Sequence, residues 1–265
     1  MTYSFELKIP VKKAGATAFS CPQSNEYQHI SKLAITPPMQ KNYTFIKPTT
    51  IKFEATLLAN NKTIPNKLSL HDYSSSQKKT LVNDSYVNGL DPKIISLSRK
   101  IKGESVSEII ENTYNFVLEY LQYGNPIDGL YTYNSALENK VTDCGGFSML
   151  LASLLQSRGI PTRLAVGFLL RKNFKTKVFA LTKLKPLTFE NLSMHAWLEA
   201  LLPNGQYFPL DTSIDWKRRK GLSQRSGGFG FIPADRLVTS FGHSFTVRVH
   251  EKNTTLELLQ KPIQL

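Results

Sequence analysis

The apolar pattern changes its period in the second half of the chain, and this change restricts the fold more than any other feature. From Ser105 to Arg158, apolar side chains recur with the 3.6-residue period of amphipathic helices. From Pro161 onward, they alternate with the two-residue period of strands. Helices that precede strands, rather than alternate with them, predict an α+β domain with an antiparallel sheet.

The helical segment contains signals for two helices. Ser105 and Glu108 fit a capping box at the start of the first, and Gly124 with Pro126 predicts its end. The second helix is predicted over 143–158, with its apolar side chains on one face.

The ends of this second helix carry their own signals. Thr142 or Asp143 can cap its first amides. Gly159 suits the left-handed residue that follows a helix, and Pro161 comes next. We therefore expect Cys144 to lie in the first turn of the helix.

Alternating segments predict strands on both sides of the helices. In the first hundred residues they are Tyr3–Ile9 and Ile51–Leu57, and Leu90–Lys93 is interpreted as a linker after them. After the helices they are Thr162–Leu170, Met194–Leu202, Gln206–Asp211 and Phe241–Val249.

Composition excludes several classes of protein. Of the 265 residues, 41% are hydrophobic, which excludes a disordered chain. The longest apolar run, Leu164–Leu170, is far shorter than the roughly 18 residues that a transmembrane helix needs. The net charge of +13 favours anionic partners without identifying them.

Motif content argues against a cofactor. Two cysteines, Cys21 and Cys144, cannot form a framework of disulfides, and their separation resembles no zinc site. Gly-rich nucleotide-binding motifs and the HExxH zinc motif are absent. We therefore predict no metal and no cofactor, and interpret Cys21 as incidental.

Cys144 is the strongest candidate for chemistry. Free amides and the dipole at a helix N-terminus favour an anion, so we expect its thiol to be shifted toward thiolate. Gly145 and Gly146 follow it, although glycine is unfavourable inside a helix. Their presence suggests room for a substrate backbone above the sulfur, whereas the simpler interpretation of Cys144 is a small buried thiol.

His195 and Asp211 can supply the base and the orienting acid. On the strand Met194–Leu202, His195 and Trp197 share one face, and the small apolar residues of the other face are the expected core side. A two-residue turn would pair Asp211 with Leu198, on the wrong face. A three-residue loop ending in a left-handed Gly205 would pair Asp211 with Trp197, one diagonal from His195.

A nucleophile, a base and an orienting acid can therefore meet. Cys144 would attack an acyl carbon, His195 would accept the thiol proton, and Asp211 would fix the imidazole tautomer. The Cys144 amide is a natural oxyanion donor. Tyr123 and Gln122 are weaker candidates for the second donor.

Further residues complete the set of candidates. Gly145 is a weak candidate for substrate contact. Trp197 can either line a substrate cleft or pack in the core.

The same residues resemble the core of transglutaminase-like proteins, a branch of the papain-like cysteine enzymes. The resemblance covers about 104–245 and rests on Thr142–Phe168 around the cysteine, on His-Ala-Trp-Leu-Glu at 195–199 and on Asn-Gly-Gln-Tyr-Phe-Pro-Leu-Asp at 204–211. The order Cys, His, Asp and its spacing suit the bacterial and archaeal members. Gly145-Gly146-Phe147 departs from the acidic residue that many members carry after the cysteine, which weakens inferences about substrate preference.

The resemblance implies acyl transfer through a thioester, as in transglutaminases, amidases and peptidases. It implies a β-rich N-terminal domain over 1–95 and a catalytic domain over 96–265. The implied partner is a peptide or protein substrate, and the basic charge suits an acidic one. As written, the chain is expected to be soluble and cytoplasmic, or secreted or periplasmic if a leader was removed.

Two other functions stay open. Some family members have lost the nucleophile and serve as scaffolds, so a catalytically idle module that binds a protein or peptide is the main alternative. The basic cluster Lys217–Lys220 and the residues Arg171, Lys172, Lys175 and Lys177 suggest binding of an anionic polymer. Aromatic side chains are not interleaved with these charges, so nucleic acid is not expected as the main partner.

Overall fold

The computed structural model describes residues 1–12, 15–38, 43–124, 131–171, 185–249, 252–257 and 262–265. Its helices are α1 (Ser75–Lys78), α2 (Pro92–Ser98), α3 (Val106–Tyr120), α4 (Tyr133–Asn139), α5 (Cys144–Ser157) and α6 (Thr212–Arg219). Its strands are β1 (Thr2–Ile9), β2 (Thr17–Ala18), β3 (Gln28–Thr36), β4 (Thr44–Phe45), β5 (Thr49–Leu57), β6 (Asn60–Asn61), β7 (Gln122–Tyr123), β8 (Val141–Thr142), β9 (Thr162–Leu170), β10 (Leu192–Leu201), β11 (Tyr207–Leu210), β12 (Phe231–Ile232), β13 (Arg236–Phe241), β14 (Ser244–Val249), β15 (Lys252–Glu257) and β16 (Ile263–Gln264). This mixture confirms the predicted α+β class.

The strands form several small sheets. Three of these have the strand orders β1-β5-β3, β11-β10-β9-β13 and β16-β2-β4. Two-stranded sheets pair β12 with β6, β14 with β15, and β7 with β8. Pairing is antiparallel in β1–β5, β3–β5 and β10–β11, and parallel in β7–β8.

The chain divides into two compact units that are not consecutive in sequence. The first unit consists of 1–59, 166–195 and 233–265, and the second of 60–165 and 196–232. Such units group residues by spatial contact and do not test a domain boundary, so the predicted division into 1–95 and 96–265 stays a prediction.

The first unit is β-rich, as the alternating pattern predicts. In β1 the side chains of Phe5, Leu7 and Ile9 are buried, and those between them are more exposed. Phe5 lies opposite Phe53 of β5, and their rings stack with centroids 4.8 Å apart. Cys21 belongs to the same apolar core and forms no disulfide, and its interpretation as incidental stays a prediction.

The second unit is built around α5, which is buried on every side. All residues from Cys144 to Gln156 are buried, and α2, α3, α4 and α6 contact this helix. The sequence predicts burial of one face only, which is wrong. A helix without a polar face is typical of a central position among other elements.

The capping signals of the two long helices are confirmed. Ser105 and Glu108 form the capping box of α3, and Asp143, rather than Thr142, caps α5. Gly159 adopts the left-handed φ of 80° after α5. Helix α3 ends at Tyr120, earlier than Gly124, and Pro126 lies outside the described residues.

Some segments differ from their sequence-based interpretation. The expected linker at Leu90–Lys93 starts a helix, because Asp91 caps α2 and Pro92 occupies its first turn. The single late strand predicted over 241–249 is divided between β13 and β14 by Gly242, which has a φ of 100°.

The hairpin between β10 and β11 has the three-residue loop that the sequence analysis considered. Leu198 pairs with Leu210 and Leu201 with Tyr207, and Gly205 has a φ of 84°. This register confirms the second of the two alternatives. The expected single core face of β10 is wrong, because every residue from His195 to Leu201 is buried.

A buried ion pair connects β9 to β10 within the second unit. The Glu199 carboxylate is fully buried and accepts a hydrogen bond from Arg163 Nε at 2.5 Å. The Arg163 guanidinium lies 3.5 Å from the centroid of the Tyr207 ring. Removal of one partner would leave the other charge buried without compensation.

We predict that Arg163→Met lowers the free energy of unfolding by about 3 kcal/mol, since it removes the Arg163 charge that compensates the fully buried Glu199 carboxylate. Urea denaturation measures the change. The matched control is Lys32→Met, which breaks the exposed Lys32–Glu54 pair and should cost at most about 1 kcal/mol. Equal costs for the two variants would contradict this assignment.

Candidate active site

Cys144 is the first residue of α5, and Asp143 forms its N-cap. Asp143 Oδ1 accepts hydrogen bonds from the amides of Gly145 at 2.8 Å and Gly146 at 3.3 Å. The cap leaves the Cys144 N–H without an acceptor in the described part of the chain. Cys144 therefore offers an unused donor beside its own sulfur, whereas the Gly145 amide is already engaged.

The glycine at 146 has a packing role. A Cβ atom there would lie 1.9 Å from Thr142 Oγ1 and 2.8 Å from Thr142 Cγ2. Thr142 is fully buried, so it has little freedom to move away. The close approach of β8 to α5 accounts for this glycine, and room for a substrate is not needed to explain it.

Burial and several neighbouring groups shift the pKa of the Cys144 thiol. Burial, with a smaller contribution from Asp143, raises the pKa of Cys144 to about 12. A backbone hydrogen bond from Ala196 and the nearby Lys217 lower the pKa, and Asp211 raises it further. A helix N-terminus contributes about 0.3–1 kcal/mol, less than one pKa unit, so it does not overcome burial. The expected shift toward thiolate is therefore wrong for this structure.

Asp211 follows the last residue of β11 and caps α6, a helix that the sequence analysis missed. Its Oδ1 accepts hydrogen bonds from Ser213 Oγ and from the Ile214 amide, both at 3.2 Å. The side chain is buried, and its charge acts on Cys144. The sequence Asp-Thr-Ser-Ile-Asp at 211–215 carried the signal for this cap.

His195 is buried in β10, directly before Ala196, whose N–H hydrogen-bonds to the Cys144 sulfur. In the hairpin register, Trp197 and Asp211 come next after the pair Leu198–Leu210. His195 lies two positions before Trp197, on the same face of the strand. Its role as the base stays a prediction.

The candidates for substrate contact fall in different surroundings. Tyr123 lies near the thiol, since Cys144, Asp143 and Asp211 all raise its pKa in addition to burial. Gln122 precedes it in β7, so its side chain points the other way, and it is exposed. Trp197 is fully buried, which favours the packing interpretation.

Lys217 of α6 also lies near the Cys144 thiol. The sequence indicated it only as part of a basic cluster. Its Nζ lies 3.3 Å from the centroid of the Tyr123 ring. Burial lowers its pKa, and its charge interacts with Cys144, Asp211 and Asp143. Of the second basic group, Arg171 is described, and Lys172, Lys175 and Lys177 lie outside the described residues.

The described ranges lack two further kinds of site. They contain no group of three or more His, Cys, Asp or Glu side chains placed to hold a metal ion. They also contain no helix long and apolar enough to cross a membrane.

A protein-family comparison matches the part of the chain that contains the candidate site. The profile of the transglutaminase-like superfamily matches residues 95–212, which contain Cys144, His195 and Asp211. This match covers less than half of the chain and supports the family resemblance for that segment. No curated protein sequence matches the chain.

One solved structure shares the fold of this chain, and a second is similar to a smaller degree. A candidate cysteine protease from Cytophaga hutchinsonii is 16% identical, with a TM-score of 0.54 over 91% of this chain and 80% of that protein. The periplasmic domain of TgpA from Pseudomonas aeruginosa is 11% identical, with a TM-score of 0.43 over 83% of this chain and 87% of that domain. At such low identity, the first of these similarities shows the fold alone.

We predict that Gly146→Ala lowers the free energy of unfolding by about 1–3 kcal/mol, because the added methyl overlaps Thr142. The cost of the overlap outweighs the gain of about 1 kcal/mol that alanine normally brings over glycine in a helix. In urea denaturation, Thr142→Gly should remove part of the cost when combined with Gly146→Ala. A Gly146→Ala protein as stable as the wild type would contradict the packing role.

We also predict that Asp143→Asn accelerates modification of Cys144 by iodoacetamide at pH 8 severalfold. Asparagine caps a helix as well as aspartate does, so α5 is kept and only the charge is lost. Since the Asp143 charge raises the thiol pKa, its removal lowers that pKa and increases the thiolate fraction.

Peptide mapping by mass spectrometry measures the rate. Cys21 provides a control in the same sample, because burial alone raises its pKa to about 12. Its rate should not change. An unchanged Cys144 rate would contradict the electrostatic role of Asp143.

Proposed function

We propose that this chain is a cysteine-dependent acyl-transfer enzyme that acts on peptide-like amides through a thioester on Cys144. The observation that carries the proposal is the position of Cys144. Within a transglutaminase-like domain, its thiol lies at the start of a buried helix, near the charges of Asp211 and Lys217.

In the proposed reaction, Cys144 Sγ attacks the carbonyl carbon of an amide. His195 accepts the thiol proton and delivers it to the leaving nitrogen as the C–N bond breaks. Water or an amine then attacks the thioester, the C–S bond breaks, and the proton returns to sulfur through His195. Asp211 orients the imidazole and stabilises its charged form.

The high pKa of the thiol constrains this mechanism. A thiol buried in this way is protonated at neutral pH. We therefore propose that its proton moves to His195 as the sulfur attacks, rather than before the substrate binds. The unused Cys144 N–H would donate to the developing oxyanion, and the Tyr123 hydroxyl is the better placed of the two candidates for the second donor.

One observation favours a second candidate, a catalytically idle module that binds a protein or peptide. This observation is the high pKa of the Cys144 thiol. An enzyme that holds a thiolate before its substrate binds would have a nucleophile with a lowered pKa. The two candidates differ in whether an acyl group is ever attached to Cys144.

We predict that Cys144→Ala abolishes turnover, whereas Cys21→Ala retains it. Both changes replace a buried free thiol, so they are matched in size and burial. Hydrolysis of a casein-derived peptide mixture and incorporation of a fluorescent amine into casein measure the two kinds of acyl transfer. Intact mass after acid quenching detects the thioester, and its absence together with absent turnover would favour the idle module.

The other triad members are tested in the same assays. His195→Ala should be about as damaging as Cys144→Ala, because such residues act as a unit. Asp211→Asn should strongly reduce turnover while α6 keeps its cap, since asparagine is an equally good N-cap. Wild-type kinetics in Asp211→Asn would show that the triad assignment is wrong.

A further inference from the structure

Lys217 carries a partly buried charge near the Cys144 thiol. Its ammonium group rests on the face of the Tyr123 ring, 3.3 Å from the centroid. Among the described residues, it makes no ion pair or hydrogen bond through Nζ. Burial costs a charged group free energy, and the aromatic face compensates only part of that cost.

The neighbouring basic residues of α6 are different. Arg218 and Arg219 both form ion pairs with the buried Asp215, at 2.5 and 3.2 Å. Lys220 is exposed, and its Nζ lies 5.9 Å from the Trp216 ring centroid. Lys217 is therefore the residue of this cluster that combines partial burial with an available charge.

The carboxylates near Lys217 are already engaged elsewhere. Asp143 caps α5 and Asp211 caps α6, each through hydrogen bonds to backbone amides. Both carboxylates also interact with the Lys217 charge and raise its pKa, in opposition to burial. The nearby Arg225 adds a second positive charge to the surroundings of Lys217.

We propose that Lys217 is a specificity-determining residue that binds a carboxylate of the acyl donor next to the amide that Cys144 attacks. This inference rests on the proposed function and adds a substrate class to it, peptides with an acidic residue or a free carboxyl group near the reacting carbonyl. A carboxylate supplies the charge and the acceptor atoms that the ammonium lacks, and Tyr123 keeps the ammonium in position.

Two alkylating reagents test the proposed carboxylate-binding position at Lys217, here called the anion site, without requiring enzyme activity. Iodoacetate carries a carboxylate where iodoacetamide carries a neutral amide, and both react with the thiolate. A change in the thiol pKa alters both rates by the same factor, so the ratio of the iodoacetate rate to the iodoacetamide rate reports the local attraction for a carboxylate.

In the wild-type protein, this ratio at Cys144 should exceed the ratio for the neutral thiol β-mercaptoethanol by about tenfold, which corresponds to about 1.4 kcal/mol. The excess should fall in concentrated salt. A ratio equal to that of β-mercaptoethanol would overturn the proposal, and this measurement needs no variant.

Variants then locate the effect. Lys217→Gln should remove the excess, and Lys217→Arg should keep most of it. The matched control is Lys220→Gln, which removes the same charge from the same helix and should leave the ratio unchanged. If Lys217→Gln slows both reagents equally, Lys217 acts only on thiol ionisation, and the proposal fails.

Peptide turnover separates this inference from the function on which it rests. Pairs of acetylated peptide amides that differ only by Glu or Gln at one position should show a preference for Glu that Lys217→Gln removes. Turnover without that preference would overturn the acidic specificity and leave the acyl-transfer function intact. An iodoacetate preference without turnover would support the anion site and count against the enzyme.

Discussion

The burial of α5 is the constraint on which the rest of the second unit depends. A helix covered on all sides needs partners around it, and α2, α3, α4 and α6 supply them. Because the helix cannot shift within such packing, the thiol at its first residue is held in place. Gly146 allows β8 to approach closely at this end, and Asp143 satisfies the amides there.

The same burial sets the chemical problem of the site. It makes a thiolate costly, and the carboxylates of Asp143 and Asp211 add to that cost. Lys217 and the Ala196 amide act in the opposite direction. In the mechanism that we propose, the thiol proton therefore moves during attack, and the charge of Lys217 binds a substrate carboxylate.

Helix α6 carries both the Asp211 carboxylate and the Lys217 ammonium group. Asp211 caps this helix, and Lys217 follows within its second turn. One short helix therefore brings a carboxylate and an ammonium group near the thiol. Asp215 forms ion pairs with both Arg218 and Arg219 on the same helix. The charges of α6 therefore have two roles. Asp215, Arg218 and Arg219 form structural ion pairs, whereas Lys217 places a cation near the candidate nucleophile.

The sequence by itself determined the local features, because capping, periodicity and turn chemistry depend on residues close together in the chain. Ser105, Asp143 and Gly159 marked helix ends, and Gly205 indicated a turn between β10 and β11, whose register the structure then decided. The tertiary structure alone decided the burial of every face of α5 and β10, the high pKa of Cys144 and the pairing of Lys217 with Tyr123. These features depend on the packing of segments that are distant in sequence. Such packing removes water from the thiol, and the resulting rise in its pKa exceeds the decrease expected from the helix N-terminus.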